Sequence, residues 1–474
     1  MKQHINNLKS MLLLLIPFWG IMLLELAVRV IAIKNDYVLY SVLFTILMLV
    51  LISMSYMIQY SSNKKRKISF NPILMTLWLA LCFLMLYSDI IIPKIFCNLS
   101  LTFLILFTGL FLVWQQFDTI NRAKILDIFL LAIEIGFIVF SLICMMFRPY
   151  THGLRYCGLV TNPNVCGIYI IIIWACLLSR LDYCIEKQAT IIRPALIGIE
   201  IGTATTFLYL SAARTAFLTI GFISLVWFIF RTLFTRRSGK KLLKYIATVF
   251  GCVIVAFFIS HILLLKLPAA INHPITFERD REFTAELSSP KVCYAAEPAT
   301  DSDIINNLET DINTVITDTE NEPSPISRLL DVFNGNISLD SLLNGRLEIY
   351  KKYIKALDFS GHKKYSKKVN GTTVVNAHNN VIQFAYSYGI GSAIAYFLLC
   401  IFTLIYSIHY YIRFRSRKRT AAFPMLIIIA FLVCTLTECI ILPMQSLLAF
   451  CFYVCLGELM ITYAPGSADA SKRK

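Results

Sequence analysis

Stretches of about 20 apolar residues recur along this chain and constrain its fold more than any other feature. A helix needs that length to cross the hydrocarbon core of a bilayer. On this scale the sequence predicts about twelve spans, near 11–33, 37–60, 70–92, 96–117, 125–147, 159–180, 194–211, 215–234, 245–266, 385–412, 421–441 and 444–463. The predicted fold class is therefore an all-α polytopic membrane protein.

The composition supports that class and excludes several others. Of the 474 residues, 57% are hydrophobic and 15% are charged, whereas a soluble domain carries about 25% charged residues. This excludes a cytosolic enzyme, a disordered chain and a small secreted disulfide scaffold. Most of the 14 cysteines lie inside apolar runs, where each acts as a small hydrophobe, so the sequence predicts no disulfide framework.

The charge balance predicts how the chain is oriented. There are 44 basic and 28 acidic residues, a net charge of +16, which could indicate nucleic-acid binding. However, with both termini in the cytoplasm, the cytoplasmic segments hold about 25 basic residues and the short loops opposite hold about five. We therefore expect the partner to be a lipid bilayer and not nucleic acid.

One long polar segment interrupts the pattern of spans. Nine spans are predicted within 1–266, a large extracytoplasmic loop at 267–380, three spans within 381–463 and a cytoplasmic tail at 464–474. A loop this long is usually functional.

The two parts of this loop have opposite charge. Residues 278–340 hold 14 acids against four bases and predict a mobile surface. Residues 341–380 hold two acids against eight bases. In this basic part, Leu347, Tyr350, Ile354 and Leu357 are spaced as on one face of an amphipathic helix.

His378 is the candidate catalytic residue, because histidine can take and return a proton near neutral pH. It lies where the large loop re-enters the membrane. The alternative is an interfacial histidine that bonds only to its own turn.

Arg214 and Arg346 are candidates for binding an anion. Arg214 lies in a short turn between spans, where it could instead extend its charge to the interface. Arg346 begins the amphipathic helix and could be a solvated surface charge. Asn164, at the start of the sixth span, is a candidate substrate ligand or a helix cap.

Four short motifs, taken together in order, resemble the O-antigen ligase and O-antigen polymerase superfamily of bacterial envelope glycan transferases. They are GLVTNPNVCG (158–167), LSAARTA (210–216), NGRL (344–347) and HN (378–379) followed by YGIG (388–391). The resemblance covers roughly residues 150–412. The chain departs from the family in the spacing of the last glycines and in the acidic stretch 278–325.

The resemblance implies transfer of a glycan from a polyprenyl diphosphate carrier, on the outer face of a bacterial plasma membrane, to a glycan, lipid or wall acceptor. His378 would act as the base, and Arg214 and Arg346 would bind the diphosphate. Asn164, Asn379 and Arg155 would be further substrate ligands. Because a lipid diphosphate is already activated, the resemblance implies no metal and no cofactor.

Two other classes remain open at the level of sequence. A transporter or flippase of lipid-linked oligosaccharide would share the span count, although transporters commonly show repeated halves and none are visible here. A sensor or scaffold would leave the histidine and arginines without a role.

Thiol labelling tests the predicted topology. A membrane-impermeant maleimide added outside intact cells should modify Cys293 in the large loop. It should modify a cysteine placed in 413–419 only after the membrane is opened, because that basic segment is predicted to be cytoplasmic. Labelling of both positions from the same side would contradict the twelve-span topology.

Overall fold

A computed structural model describes the chain over most of its predicted membrane region. The described residues are 69–92, 99–116, 119–146, 150–152, 155–158, 160, 163–234, 239–271, 346–364, 366–369, 372–374, 376–440 and 446–464. The predicted spans 11–33 and 37–60, the acidic part 278–340 and nearly all of the tail 464–474 lie outside them.

Helices dominate the described residues. They are α1 (Pro72–Ile91), α2 (Leu99–Thr102), a π-helical turn (Phe103–Phe107), α3 (Thr108–Gln116), α4 (Thr119–Met146), α5 (Pro163–Lys187), α6 (Ile192–Ser211), α7 (Arg214–Phe234), α8 (Gly239–Ile271), α9 (Arg346–Ile354), α10 (Asn380–Tyr388), α11 (Ile390–Phe414), α12 (Ala422–Thr435) and α13 (Leu447–Thr462). Two antiparallel hairpins add β1 (Tyr150–His152) with β2 (Arg155–Gly158), and β3 (Lys367–Val369) with β4 (Thr372–Val374).

Within the described residues, six helices are long and apolar enough to cross a membrane. They are α1, α4, α5, α7, α8 and α11. Shorter apolar helices include α12 and α13. In the part of the chain that the structure describes, the protein is thus an all-α membrane protein apart from two small hairpins, whereas the count of twelve spans stays a prediction.

Helix α5 is the central element of the bundle. It packs against α4, α6, α7, α12 and α13, and most residues of its apolar stretch are buried. Gly167 allows a close approach to the start of α7, because a Cβ added there would lie 2.7 Å from the Cβ of Ala213 and 2.8 Å from that of Ala216. The first turns of α5 and α7 are thereby held side by side.

Polar residues gather at the two ends of the bundle. At one end, which we call the site end, α5, α7 and α10 begin and α12 ends. At the opposite end, Glu458 is fully buried and pairs with Arg122 at 2.8 Å and Lys418 at 3.3 Å. Arg231 pairs there with Glu186 at 3.0 Å. All of these opposite-end cations belong to segments that the charge pattern places in the cytoplasm.

Several boundaries differ from those predicted. The predicted span 385–412 is interrupted at Gly389, whose φ is +89° and whose added Cβ would lie 1.9 Å from the Phe359 carbonyl oxygen. Only glycine fits that backbone and that contact. The predicted span 421–441 ends at Thr435, which leaves Glu438 in the turn that follows.

The buried face of the helix in the basic half of the loop is rotated from the predicted one, although Leu357 of the predicted face does pack against the core. Tyr353 is fully buried and packs with Ala377 and Tyr386, whereas Ile354 is 51% exposed. When the buried face moves by one residue along the sequence, the helix is rotated by about 100°. The rotation turns Tyr353 toward the bundle and leaves Arg346, two turns earlier on nearly the same side, facing the site end.

Candidate functional site

The turn after α12 is where most of the candidate residues meet. Backbone bonds from Thr437 and Glu438 to the Cys434 carbonyl, 3.2 and 2.9 Å long, shape the turn. The Glu438 side chain is 14% exposed. Segments from five other parts of the chain place polar side chains around it, so one mostly buried carboxylate lies at the centre of the site.

Arg346, the first residue of α9, makes the principal ion pair with this carboxylate. Its Nη2 lies 3.0 Å from Glu438 Oε1, and its Nη1 donates to the Thr437 carbonyl oxygen at 2.5 Å. The side chain is only 17% exposed. Arg346 is therefore not a solvated surface charge, because its guanidinium attaches the basic half of the loop to the turn.

His378 lies beside the same carboxylate and is held there by its backbone. It adopts a left-handed conformation with φ +49°. Its N–H donates to Asn376 Oδ1 at 2.9 Å, and its carbonyl oxygen accepts from the Tyr350 hydroxyl at 3.2 Å. Its Nδ1 lies 3.9 Å from Glu438 Oε2. That separation suits an ion pair but exceeds a hydrogen bond.

The exposed part of the His378 ring lies away from Glu438. Nδ1 is buried and has no hydrogen-bond partner among the described residues, yet the side chain is 34% exposed. The exposure therefore comes from other atoms of the side chain. Those atoms are accessible to an incoming group, whereas Nδ1 faces the carboxylate.

Asn379 and its neighbour Asn380 fix the turn in place. Asn379 Oδ1 caps α10 through the Ile382 N–H at 3.1 Å, and its Nδ2 donates to the Leu436 carbonyl at 3.2 Å. Asn380 is fully buried, and its Oδ1 accepts from the Ile440 N–H at 2.8 Å. In this structure Asn379 is a cap and a connector.

Arg155 and Asn164 approach the carboxylate from the other side. Arg155 Nη2 donates to Asn164 Oδ1 at 2.8 Å and its Nε donates to the Ser211 carbonyl at 3.0 Å. Asn164 Nδ2 reaches Glu438 Oε1 at 3.5 Å. Asn164 thus links Arg155 to the central carboxylate from the first turn of α5.

Arg214 begins α7 two residues after Ala212, which has a left-handed φ of +46°. The adjacent Thr215 hydroxyl lies 3.0 Å from the Thr437 hydroxyl, which brings the start of α7 to the turn. Burial lowers the pKa of Arg155, and the positive charge of Arg214 lowers it further. Arg214 therefore lies within electrostatic reach of Arg155.

Glu438 is ionised at neutral pH despite its burial. Burial alone would raise its pKa, but the nearby His378 ring and the charge and hydrogen bond of Arg346 outweigh that effect and hold the pKa below its ordinary value. The three arginines and this one carboxylate carry a surplus of two positive charges. The arrangement can therefore bind a doubly charged anion.

From the sequence alone, Glu438 is a functional candidate only as one of several charges within predicted spans, Tyr350 is part of a predicted helix face, and Asn380 has no predicted role. Glu438 fell inside the predicted span 421–441, and a charge within an apolar stretch is a recognised signal of function. No sequence pattern indicates that Glu438 lies next to His378 or Arg346. In the part of the chain that the structure describes, no three His, Cys, Asp or Glu residues are grouped to hold a metal ion.

Comparison with protein-family models, with curated proteins and with solved structures gives no match.

Ionised Glu438 should make the stability of the folded protein depend on pH in the acidic range. Because its pKa is lower in the folded chain, the contribution of its ion pairs is complete above the ordinary value of 4.5 and is lost as the pH falls through the folded value. We expect the unfolding midpoint of the detergent-solubilised protein to fall more between about pH 6 and about pH 3.5 than that of Glu438→Gln. At neutral pH the variant should lose about 1–3 kcal/mol.

The matched control is Glu348→Gln, which removes a carboxylate that is 46% exposed and paired with Lys352. Its stability should follow that of the unmodified chain at every pH. Equal acid dependence for the unmodified chain and Glu438→Gln would show that Glu438 is not held in its ionised form.

Proposed function

We propose that this chain transfers a glycan from a polyprenyl diphosphate carrier to an acceptor, as a ligase or polymerase of surface polysaccharide. The observation that carries the proposal is the convergence of Arg155, Arg346, His378 and Asn164 on Glu438, with Arg214 within electrostatic reach. The motif order that resembles the O-antigen ligase and polymerase superfamily supplies the substrate class.

The proposed placement is the outer face of a bacterial plasma membrane, with twelve spans and both termini in the cytoplasm. The segments at the site end belong to predicted extracytoplasmic loops or to the ends of predicted spans that border those loops. The ion pairs at the opposite end, such as Arg122 with Glu458, come from segments predicted to be cytoplasmic. Side-chain contacts and loop charge therefore support the same orientation.

The charge of the site suits a diphosphate diester, which carries two negative charges at neutral pH. Arginine binds phosphate oxygens through two parallel N–H bonds. The Arg346 guanidinium already holds two oxygens, one from Glu438 and one from Thr437. Phosphate oxygens of the donor could occupy the same directions, with Arg155 and Arg214 nearby to balance the second charge.

The chemistry would be displacement at the anomeric carbon. The acceptor hydroxyl oxygen forms a bond to that carbon while the bond from carbon to the diphosphate oxygen breaks. The leaving polyprenyl diphosphate keeps the electron pair, and the hydroxyl proton passes to Nε2 of His378. The arginines stabilise the charge that develops on the leaving group.

The base is tested with purified protein in nanodiscs, supplied with lipid-linked glycan and acceptor. His378→Ala should lower the transfer rate about 10²–10⁴-fold, the usual contribution of a positioned acid–base group. Expression, insertion and monodispersity should be kept, because the side chain makes no hydrogen bond at Nδ1. Transfer within tenfold of the unmodified rate would remove His378 from the mechanism.

Lysine variants test the diphosphate contacts. Arg346→Lys and Arg214→Lys keep the charge but lose the planar pair of donors, so transfer should fall clearly, by about tenfold or more. Lys355→Ala is the control, because this residue follows α9 on an exposed surface. Donor binding with no transfer by the unmodified chain would instead favour a transporter of lipid-linked oligosaccharide.

A further inference from the structure

We infer that Glu438 is a positioning residue that couples donor binding to the base. In the structure its carboxylate pairs with Arg346, and a diphosphate bound to Arg346 would displace it toward His378. This inference rests on the proposed function and adds an order of events to it. The donor must bind before the base is correctly oriented.

The geometry leaves one short movement to make. Glu438 Oε1 lies 3.0 Å from Arg346 Nη2, whereas Oε2 lies 3.9 Å from His378 Nδ1. A hydrogen bond between Nδ1 and Oε2 requires about 2.9 Å. A rotation within the side chain that shortens the distance by about 1 Å is enough, and the pairing with Arg346 opposes it.

His378 Nδ1 is the buried atom that lacks a partner. It makes no hydrogen bond to the described residues, and buried polar atoms of this kind normally have one. When Nδ1 donates to a carboxylate, the proton is fixed on that nitrogen and the other nitrogen is left free to accept. Movement of Glu438 would therefore give His378 the tautomer that a base requires.

Both groups are mounted on backbone that is already fixed. The His378 backbone is held by Asn376 and Tyr350. The turn that carries Glu438 is held by Asn379 at Leu436 and by Asn380 at Ile440. The carboxylate can move between its two partners without any movement of helices.

Charge makes the exchange favourable once the donor has bound. A diphosphate on Arg346 lies beside the Glu438 carboxylate and repels it. The imidazolium that forms when His378 takes the hydroxyl proton attracts the same carboxylate. Among the described residues, the other ionisable groups near the pair include Tyr350 from α9, Arg155 from β2 and Cys434 from α12.

The test compares Glu438→Gln with the unmodified chain in nanodiscs, using farnesyl diphosphate as the binding probe. Because the variant has no carboxylate to compete for Arg346, it should bind the probe about threefold or more tightly. Its kcat for glycan transfer should fall about tenfold or more. The acidic limb of its pH–rate profile should move to lower pH, because the imidazolium loses the adjacent negative charge.

Glu348→Gln is the matched control and should change none of the three measurements. Glu438→Asp retains the charge on a shorter side chain. Its probe affinity should stay within about twofold of the unmodified chain while kcat falls about tenfold. If Glu438→Gln does not fold, the aspartate variant alone decides, and a kcat equal to that of the unmodified chain overturns the inference.

A purely structural role for Glu438 predicts a different result. Weaker probe binding and lower kcat with an unchanged pH profile would overturn the inference, and so would no change at all. Failure of the proposed function is distinguishable, because the unmodified chain would then bind farnesyl diphosphate without transferring glycan. The affinities of the two variants would still report whether Glu438 competes for Arg346.

Discussion

The ion pair between Glu438 and Arg346 is the interaction on which the arrangement at the site end depends. A buried carboxylate is costly unless cations and hydrogen-bond donors surround it. Arg346 from the loop and Asn164 from α5 meet this requirement by donating hydrogen bonds to Glu438. The polar residues of distant segments are thus collected around one negative charge.

Each end of the bundle has a carboxylate surrounded by cations and hydrogen-bond donors, but the two carboxylates differ in exposure. Glu458 is fully buried at the opposite end and is surrounded by Arg122, Lys418, Trp114 and Tyr410. The side chain of Glu438 is partly exposed, and so is that of its neighbour His378. The first cluster therefore ties helices together, whereas the second can exchange one of its partners for a ligand.

The sequence predicts the helices of the described region well, because each apolar stretch is nearly as long as a bilayer is thick. Asn164, Arg346 and His378 were found as candidates from their types and positions, and the structure brings them together. The end of α12 was not predictable, because Asn379 and Asn380 bind the turn through long-range contacts. The β3–β4 hairpin had a local signal, since its strands are separated by Asn370-Gly371, a favoured hairpin dipeptide.

The early end of α12 has a consequence for where chemistry would take place. Its 14 residues rise about 21 Å, less than the roughly 30 Å thickness of the hydrocarbon core. If the basic segment 413–419 lies among the headgroups of one leaflet, as its charge predicts, the turn beyond Thr435 would lie at the depth of the lipid tails of the other. A diphosphate headgroup would be drawn below its own layer, where arginine contacts are stronger than in water. Bulk water would compete poorly there with a sugar hydroxyl, so the recess would favour transfer over hydrolysis.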